Sequence, residues 1–456
     1  MFHGFFHNVS RYVSRRFMNS NIPWLFGGIL LLLSVVCSCQ RSLTEHPSAE
    51  PVAENVSPSP AVQQIEPLEA AVAEAVKKCG GKVVRDAKTG RITEVDVVVN
   101  RASVDDAAFS TIVQLKGLKK LSVSGRLLTE ESLQQLENLV ALEELFLVDT
   151  ITDDRHFAAL CQKLSKLKRL SLRRLTKLSD SGLESLHELK ELRNLSLLNL
   201  SISGSGLETV AALPSLRALD LRGCNQLRTE DYGHLAKMTA LTDLKIGGAS
   251  INADVLRTIA SLPNLTGLTV EDATMTAEIW DELFANPQWT ENMTSLAFAR
   301  MYSVNDMVLA KLSGFKKLKT LSLRAVPVRG TFVGNLASDS PLFDTLQTLG
   351  MTKNYASPDE ILSLERFHNL KKLDFSNTSM TPEKIKALST LERLETLILT
   401  ECQLTDEMVE NLVPLKHLSV LDIGGNPSLT DKSRETLKRF PELSPNNVSF
   451  LSDFTE

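Results

Sequence analysis

The chain has 456 residues, too many for one ordinary core, so several domains or a repeat array are expected. A formal net charge of −5 argues against a nucleic-acid partner, and six cysteines without a Cys-x-x-Cys pair argue against a disulfide framework or a zinc site. Hydrophobic content is 43% but aromatic content only 5%, so leucine must fill the core.

Residues 1–21 carry Arg11, Arg15 and Arg16 and no acidic residue, and Ile22 to Val36 is almost wholly apolar. A charged segment followed by a short apolar run is the layout of an export signal. The run is short for a spanning helix, which needs roughly 20 apolar residues. It ends in Val36-Cys37-Ser38-Cys39, which resembles a bacterial lipobox, with Cys37 in the variable place. That resemblance implies a lipid on Cys39 as the mature N-terminus; an uncleaved membrane anchor is the alternative. Either one places residues beyond 40 outside the cytoplasm, at the cell envelope.

Residues 40–67 hold Pro47, Pro51, Pro58, Pro60 and Pro67 and the glutamates Glu45, Glu50, Glu54 and Glu66, a composition unable to bury enough apolar surface to fold. They are expected to form a disordered, extended tether. From Leu68 the pattern turns helical, with Leu68, Val72, Val76 and Cys79 on one face and Gly80-Gly81 as the stop. Val83-Val84 and Ile92 to Val99 then flank a turn, Asp86 to Gly90. Residues 68–91 are read as an N-terminal cap, because the first unit of an array otherwise exposes its apolar end.

The array itself begins at Ile92. Units start at Ile92, Leu118, Leu142, Leu167, Leu192, Leu216, Leu241, Leu265, Met293, Leu318, Leu346, Leu370, Leu394 and Leu418, mostly 24 or 25 residues apart. The clearest copies, from Leu370 and Leu394, place apolar residues at unit positions 1, 4 and 6, followed by a Thr and a helical pattern. Two units are longer, with 28 residues each: Leu265 to Asn292 and Leu318 to Thr345. Their extra length is expected in loops. Helix starts are marked by hydroxyls before acidic residues at Thr129, Thr152, Thr405 and Thr430, and by Thr381-Pro382. Residues 443–456 form a tail that closes the last unit.

Leu418-Leu421-Ile423-Asn426 fits the motif LxxLxL with a small or Asn residue three places on, and other copies hold Cys224, Cys402, Thr150 or Thr378 there. Residues 92–442 therefore resemble the leucine-rich repeat family, in its cysteine-containing subtype. The resemblance implies an α/β solenoid of about fourteen repeats, with a parallel sheet on the concave face and helices on the convex face. It specifies function weakly.

Positions 3, 5 and 7 of each unit are expected on the exposed face of the sheet. No phosphate loop, HExxH or calcium loop occurs, and the histidines fall in different units, so neither an enzyme nor a cofactor is expected. Glu94, Lys120, Glu144 and Arg169 alternate in sign along position 3, either as a recognition edge or as a cross-strand charge ladder. Phe146, Val148 and Leu198 beside Arg169, Arg173 and Arg222 form the candidate protein-binding cluster, unless the cap or tether covers it. Phe146 is the single aromatic residue in these columns, which argues against sugar stacking. The expectation is a non-enzymatic envelope protein that binds a protein or peptide through its concave face. The alternatives are a self-assembling structural component, or an inhibitory or accessory subunit of an exported enzyme.

Overall fold

A computed structural model describes residues 60–98, 104–444 and 447–449. The export signal, Cys39 and residues 40–59 of the expected tether lie outside the described residues. Among the described residues no helix is long and apolar enough to cross a membrane.

The first helix, α1 (Pro60–Lys78), begins eight residues before the expected start at Leu68, inside the stretch read as a tether. Pro60 can open it because a proline at the first helical position lacks an N–H that would have no partner there anyway. The helix ends as expected at the glycines: Gly80 has φ 67°, and the Gly81 N–H returns to the Val76 carbonyl at 2.9 Å. A Cβ on Gly81 would lie 2.6 Å from the Asp96 carbonyl oxygen, so this close approach requires glycine. Buried Glu69 accepts from the Ile92 N–H at 3.2 Å and from Arg85 at 2.6 Å, tying the helix to the strands that follow.

Strands β1 (Lys82–Arg85) and β2 (Ile92–Val97) pair antiparallel. Every later pairing is parallel. The series continues with β3 (Lys120–Ser124), β4 (Glu144–Val148), β5 (Arg169–Arg173), β6 (Asn194–Leu198), β7 (Ala218–Asp220) and β8 (Asp243–Gly247). It ends with β9 (Gly267–Glu271), β10 (Ser295–Ala299), β11 (Thr320–Arg324), β12 (Thr348–Thr352), β13 (Lys372–Asp374), β14 (Thr396–Ile398), β15 (Val420–Asp422) and β16 (Val448–Ser449). These sixteen strands form one sheet in strict sequence order. Each of the fourteen units supplies one strand, from β2 to β15. Register joins equivalent positions, so Leu145, Leu170, Leu195 and Leu219 stack as one buried row. A continuous leucine core between sheet and helices results, with each unit packing on its neighbours.

After the strand, unit position 8 turns the chain in the left-handed region, at Asp149 (φ 54°), Arg174 (φ 54°), Ala325 (φ 50°) and equivalent places. Its N–H extends the ladder to position 7 of the next unit, as from Arg174 to Leu198 O at 3.0 Å. Position 9 then points inward. Cys224 donates to Leu197 O at 2.9 Å and Cys402 to Phe375 O at 3.3 Å. Burial pushes their thiols up to about 12 and about 11. Asn426 does more: it accepts from the N–H groups of Cys402 and Leu404 and donates to the carbonyls of Leu399 and Ile423.

Thr129, Thr381, Thr405 and Thr430 cap their helices through the hydroxyl as expected. Thr152 does not: Asp153 is the cap, accepting from the His156 N–H at 2.9 Å, while Thr152 is buried against the Thr150 hydroxyl. The acidic residues of the first turn also serve a second purpose. Asp106 accepts from Thr129 N, Asp154 from Ser179 N and Oγ, Asp180 from Ser203 N and Oγ, and Asp406 from Thr430 N and Oγ1. Each such aspartate clasps the cap of the next repeat.

The two long units spend their extra residues on a second short helix, where loops were expected. The first carries Glu278–Phe284 and Pro287–Asn292; the second carries Phe332–Asn335 and Leu342–Thr345. Pro287 at a helix start and the burial of Trp280 and Trp289 explain the first, since both indoles fill the wider layer behind the sheet. Trp280 packs edge-on against Phe298 at 5.0 Å.

Candidate binding surface on the concave face

Parallel register lays the outward positions in three rows. Position 3 runs Glu94, Lys120, Glu144, Arg169, Asn194, Ala218 and Asp243. Position 5 runs Phe146, Ser171, Ser196, Asp220 and Lys245, and position 7 runs Val148, Arg173 and Leu198. Arg173 therefore stands between Val148 and Leu198 on adjacent strands.

The expected ladder along position 3 has one rung, Lys120 to Glu94 at 3.2 Å. A fuller ladder lies one position earlier. There Glu143 bridges Lys168 at 2.7 Å and Lys119 at 3.0 Å, and their hydrogen bonds hold its carboxyl at about 2. Glu144 and Arg169 form no ion pair among the described residues, and neither does Arg173. The Lys120 ammonium sits 5.9 Å from the Phe146 ring centroid.

Ser171, Ser196 and Ala218 are short, so the sheet dips between Phe146 and Lys245 into an open depression of about 360 Å³. Phe146 and Arg169 form one wall; Asp220, Asp243 and Lys245 form the other. Burial raises the Asp243 carboxyl. The depression thus has an apolar, cationic side and a side of mixed charge across a floor of small groups. Phe146, Val148 and Leu198 are half-buried and Arg169 and Arg173 are exposed. The helix α1 packs on β1, β2 and the helix Asp106–Ile112, so the described part of the N-terminal segment leaves this cluster open.

Arg222, also placed in the cluster by the sequence, is committed elsewhere. Its guanidinium grips Asp220 through Nε (2.9 Å) and Nη2 (2.8 Å), and reaches Glu271 through Nη1 at 2.7 Å. Glu271 lies two strands away, and the strand between presents Gly247 at that row, leaving the path open. Glu271 also accepts from Arg300 at 2.9 Å, and Arg300 holds Asp272 through two contacts of 2.6 Å. These five side chains form an ionic belt across β7 to β10. The sequence offered one signal for it, the adjacent glycines Gly247 and Gly248. Two exposed tyrosines, Tyr302 and Tyr355, also escaped the sequence reading because they occupy unit position 10, beyond the three columns.

A family model for a leucine-rich repeat region matches residues 102–286, and one for Zer-1-like leucine-rich repeats matches 360–442, together more than half of the chain. The chain is a leucine-rich repeat protein. Comparison with curated proteins finds no match. Among solved structures, this leucine-rich repeat chain is similar to the Rad7 and Elc1 complex of yeast, at 15% identity and TM-score 0.50 over 86% of this chain and 94% of that one. An internalin of Listeria monocytogenes is 18% identical, with TM-score 0.39, over 87% and 97% of the two chains. A leucine-rich repeat protein of Leptospira interrogans is 21% identical, with TM-score 0.33, over 75% and 92%. At these identities the likeness is one of fold. Leucine-rich repeat solenoids are typically protein-interaction scaffolds.

Proposed function

We propose that this protein is an exported, membrane-tethered scaffold that holds a protein or peptide partner on the concave face of β4 to β8. One observation carries the reading: Arg169 and Arg173 are uncommitted guanidinium groups on one strand, set among Phe146, Val148 and Leu198 beside a depression. Arg222 and Arg300, by contrast, are fully engaged by carboxylates. Arginine and aromatic groups around a partly apolar pocket are the usual anchors of a protein interface. With Asp220 already paired to Arg222, the opposite wall offers Asp243 and Lys245, which favours a segment that presents a carboxylate to Arg169 or Arg173 and polar groups to the far side. Carboxylates on this face, with the net charge of −5, disfavour a polyanion such as nucleic acid. The tether and Cys39, as the lipid-bearing residue, would hold the solenoid at the cell envelope facing away from the cytoplasm.

The test is capture by the tagged full chain, identification of the bound protein, and titration of that protein, purified, against variants. Phe146→Asp and Arg173→Glu should each weaken binding by roughly tenfold or more, the scale of a hot-spot residue. Thr396→Lys, on β14, should leave it unchanged. Equal binding by all three variants removes this surface from consideration. Incorporation of radioactive fatty acid into Cys39→Ser would exclude Cys39 as the lipid-bearing residue and with it the lipobox reading.

A further inference from the structure

A different part of the sheet carries features that the depression does not use. On β10, β11 and β12 the outward positions hold no carboxylate: they read Ser295, Ala297, Ala299, then Thr320, Ser322, Arg324, then Thr348, Gly350, Thr352. In a chain of net charge −5 this is a local reversal. Arg324 and, at position 8 of the next repeat, Lys353 form no ion pair among the described residues. The bordering acids are engaged: Glu271 and Asp272 by arginines, Asp306 by the N–H groups of Arg329 and Gly330, and Asp374 by Ser376.

Along the rim of these strands stand Tyr302 and Tyr355, 85% and 76% exposed. They occupy position 10 of units two apart, and Pro327 holds the same position between them, also exposed. The tyrosines are the two most exposed large hydrophobic side chains among the described residues. Their backbones are fixed from below. Met301, just before Tyr302, is fully buried, and Asn354, just before Tyr355, is buried and accepts from the Ala356 N–H at 3.0 Å. The rings are therefore presented by loops anchored in the core.

We infer that this rim binds a proline-rich, acidic peptide in the polyproline II conformation. Two strand spacings, ~9.6 Å, separate the strands β10 and β12 that lead into the two tyrosine loops. One turn of polyproline II, three residues at 3.1 Å, advances ~9.3 Å. Prolines on one edge of such a helix would meet both rings in phase, the mode by which aromatic-lined grooves recognise these segments. Glutamates on the other edge would meet Arg324 and Lys353, and the floor of Ala, Ser, Thr and Gly leaves the backbone room to cross. Sugar recognition fits less well, because Asp, Asn and Gln, the side chains that orient sugar hydroxyls, are missing from the outward positions of these three strands. The site shares no residue with the depression on β4 to β8 and does not depend on it.

The experiment is fluorescence polarisation of a labelled (Glu-Pro-Pro)4 peptide with the full chain in detergent. Binding is expected, weakened at least ~tenfold by Tyr302→Ala combined with Tyr355→Ala, and comparably by Arg324→Glu. Phe146→Asp should leave it intact. A (Glu-Gly-Gly)4 peptide should bind at least ~tenfold more weakly, since it lacks the preformed helix. No binding, equal binding of the glycine peptide, or indifference to the tyrosine pair would each overturn the inference. So would tyrosine-dependent binding of polygalacturonate in preference to the peptide, which would make the ligand a glycan. Because both tyrosines are exposed, an unchanged melting curve of the double variant serves as the folding control.

Discussion

Replacing Asn426 by alanine should destabilise one end of the solenoid and spare its middle. The Asn426 side chain is 0% exposed. It accepts from Cys402 N at 2.8 Å and Leu404 N at 3.0 Å, and it donates to Leu399 O at 2.9 Å and Ile423 O at 2.8 Å. Alanine keeps none of these bonds. The two N–H groups are buried in the loop between β14 and the helix that follows, and each left unsatisfied costs about 1–3 kcal/mol. The two carbonyls lose a weaker share, so the total comes to ~4 kcal/mol. Repeat proteins couple mainly to their neighbours, so the loss should fall on the units from Leu394 onward. Urea titration followed in parallel by far-ultraviolet circular dichroism and by tryptophan fluorescence separates the two regions, because Trp280 and Trp289 lie in the unit from Leu265. The expected result is an early dichroism phase absent from the unmodified chain, with the fluorescence midpoint nearly unmoved. A single shared transition displaced by less than ~1 kcal/mol would show that the asparagine does not hold the joint.

Two further substitutions probe the concave face and its rim. Asp149 is held at about 2 by the bidentate Arg174 and, secondarily, Arg126, below its ordinary value of 3.8. A depressed carboxylate stabilises the fold above its unfolded value and loses that contribution as pH falls from about 4 to about 2. Arg174→Ala should therefore lower stability by ~1 kcal/mol at pH 6, discounted for the guanidinium's exposure, and by almost nothing near pH 2. Denaturant midpoints at both pH values check this, and a pH-independent difference would contradict it. Gly247→Val should cost ~2 kcal/mol, because its Cβ would fall 2.9 Å from Glu271 O and 3.2 Å from Glu271 Cβ, closing the path of Arg222. A melting curve that matches the unmodified protein would mean that the ionic belt reforms around the valine.

Most of the scaffold could be read from leucine spacing alone. A period of 24 or 25 residues places one strand per unit, and the structure puts Leu373 and Leu397 in neighbouring, paired positions as that period requires. Local chemistry was harder to assign where two residues competed for one role. At Thr152-Asp153 both side chains can cap a helix, and burial of the threonine, a tertiary effect, decided for the aspartate. The helical start at Pro60 was hidden by composition, since proline signals both a tether and a first turn. For the surface, positions 3, 5 and 7 gave the right columns but not the pairings. Arg222 meets Glu271, 49 residues away, through a gap that exists because β8 ends in Gly247. Tyr302 and Tyr355 were missed for a simpler reason: their row lies past the strand, where sequence alone does not say which loop residue faces out.

The aspartate clasps on the convex side carry a consequence for how such a chain can grow. At four joints an acid of one repeat's first turn holds the capped backbone N–H of the next: Asp106 with Thr129, Asp154 with Ser179, Asp180 with Ser203 and Asp406 with Thr430. The unit from Leu167 carries both halves, Ser179 held by the repeat before and Asp180 holding Ser203 in the repeat after, so a copy of it inserted in register would meet a matching half on each side. Deletion in register would likewise leave two compatible ends. At that place the number of repeats can change by a whole unit while the clasp chemistry stays the same.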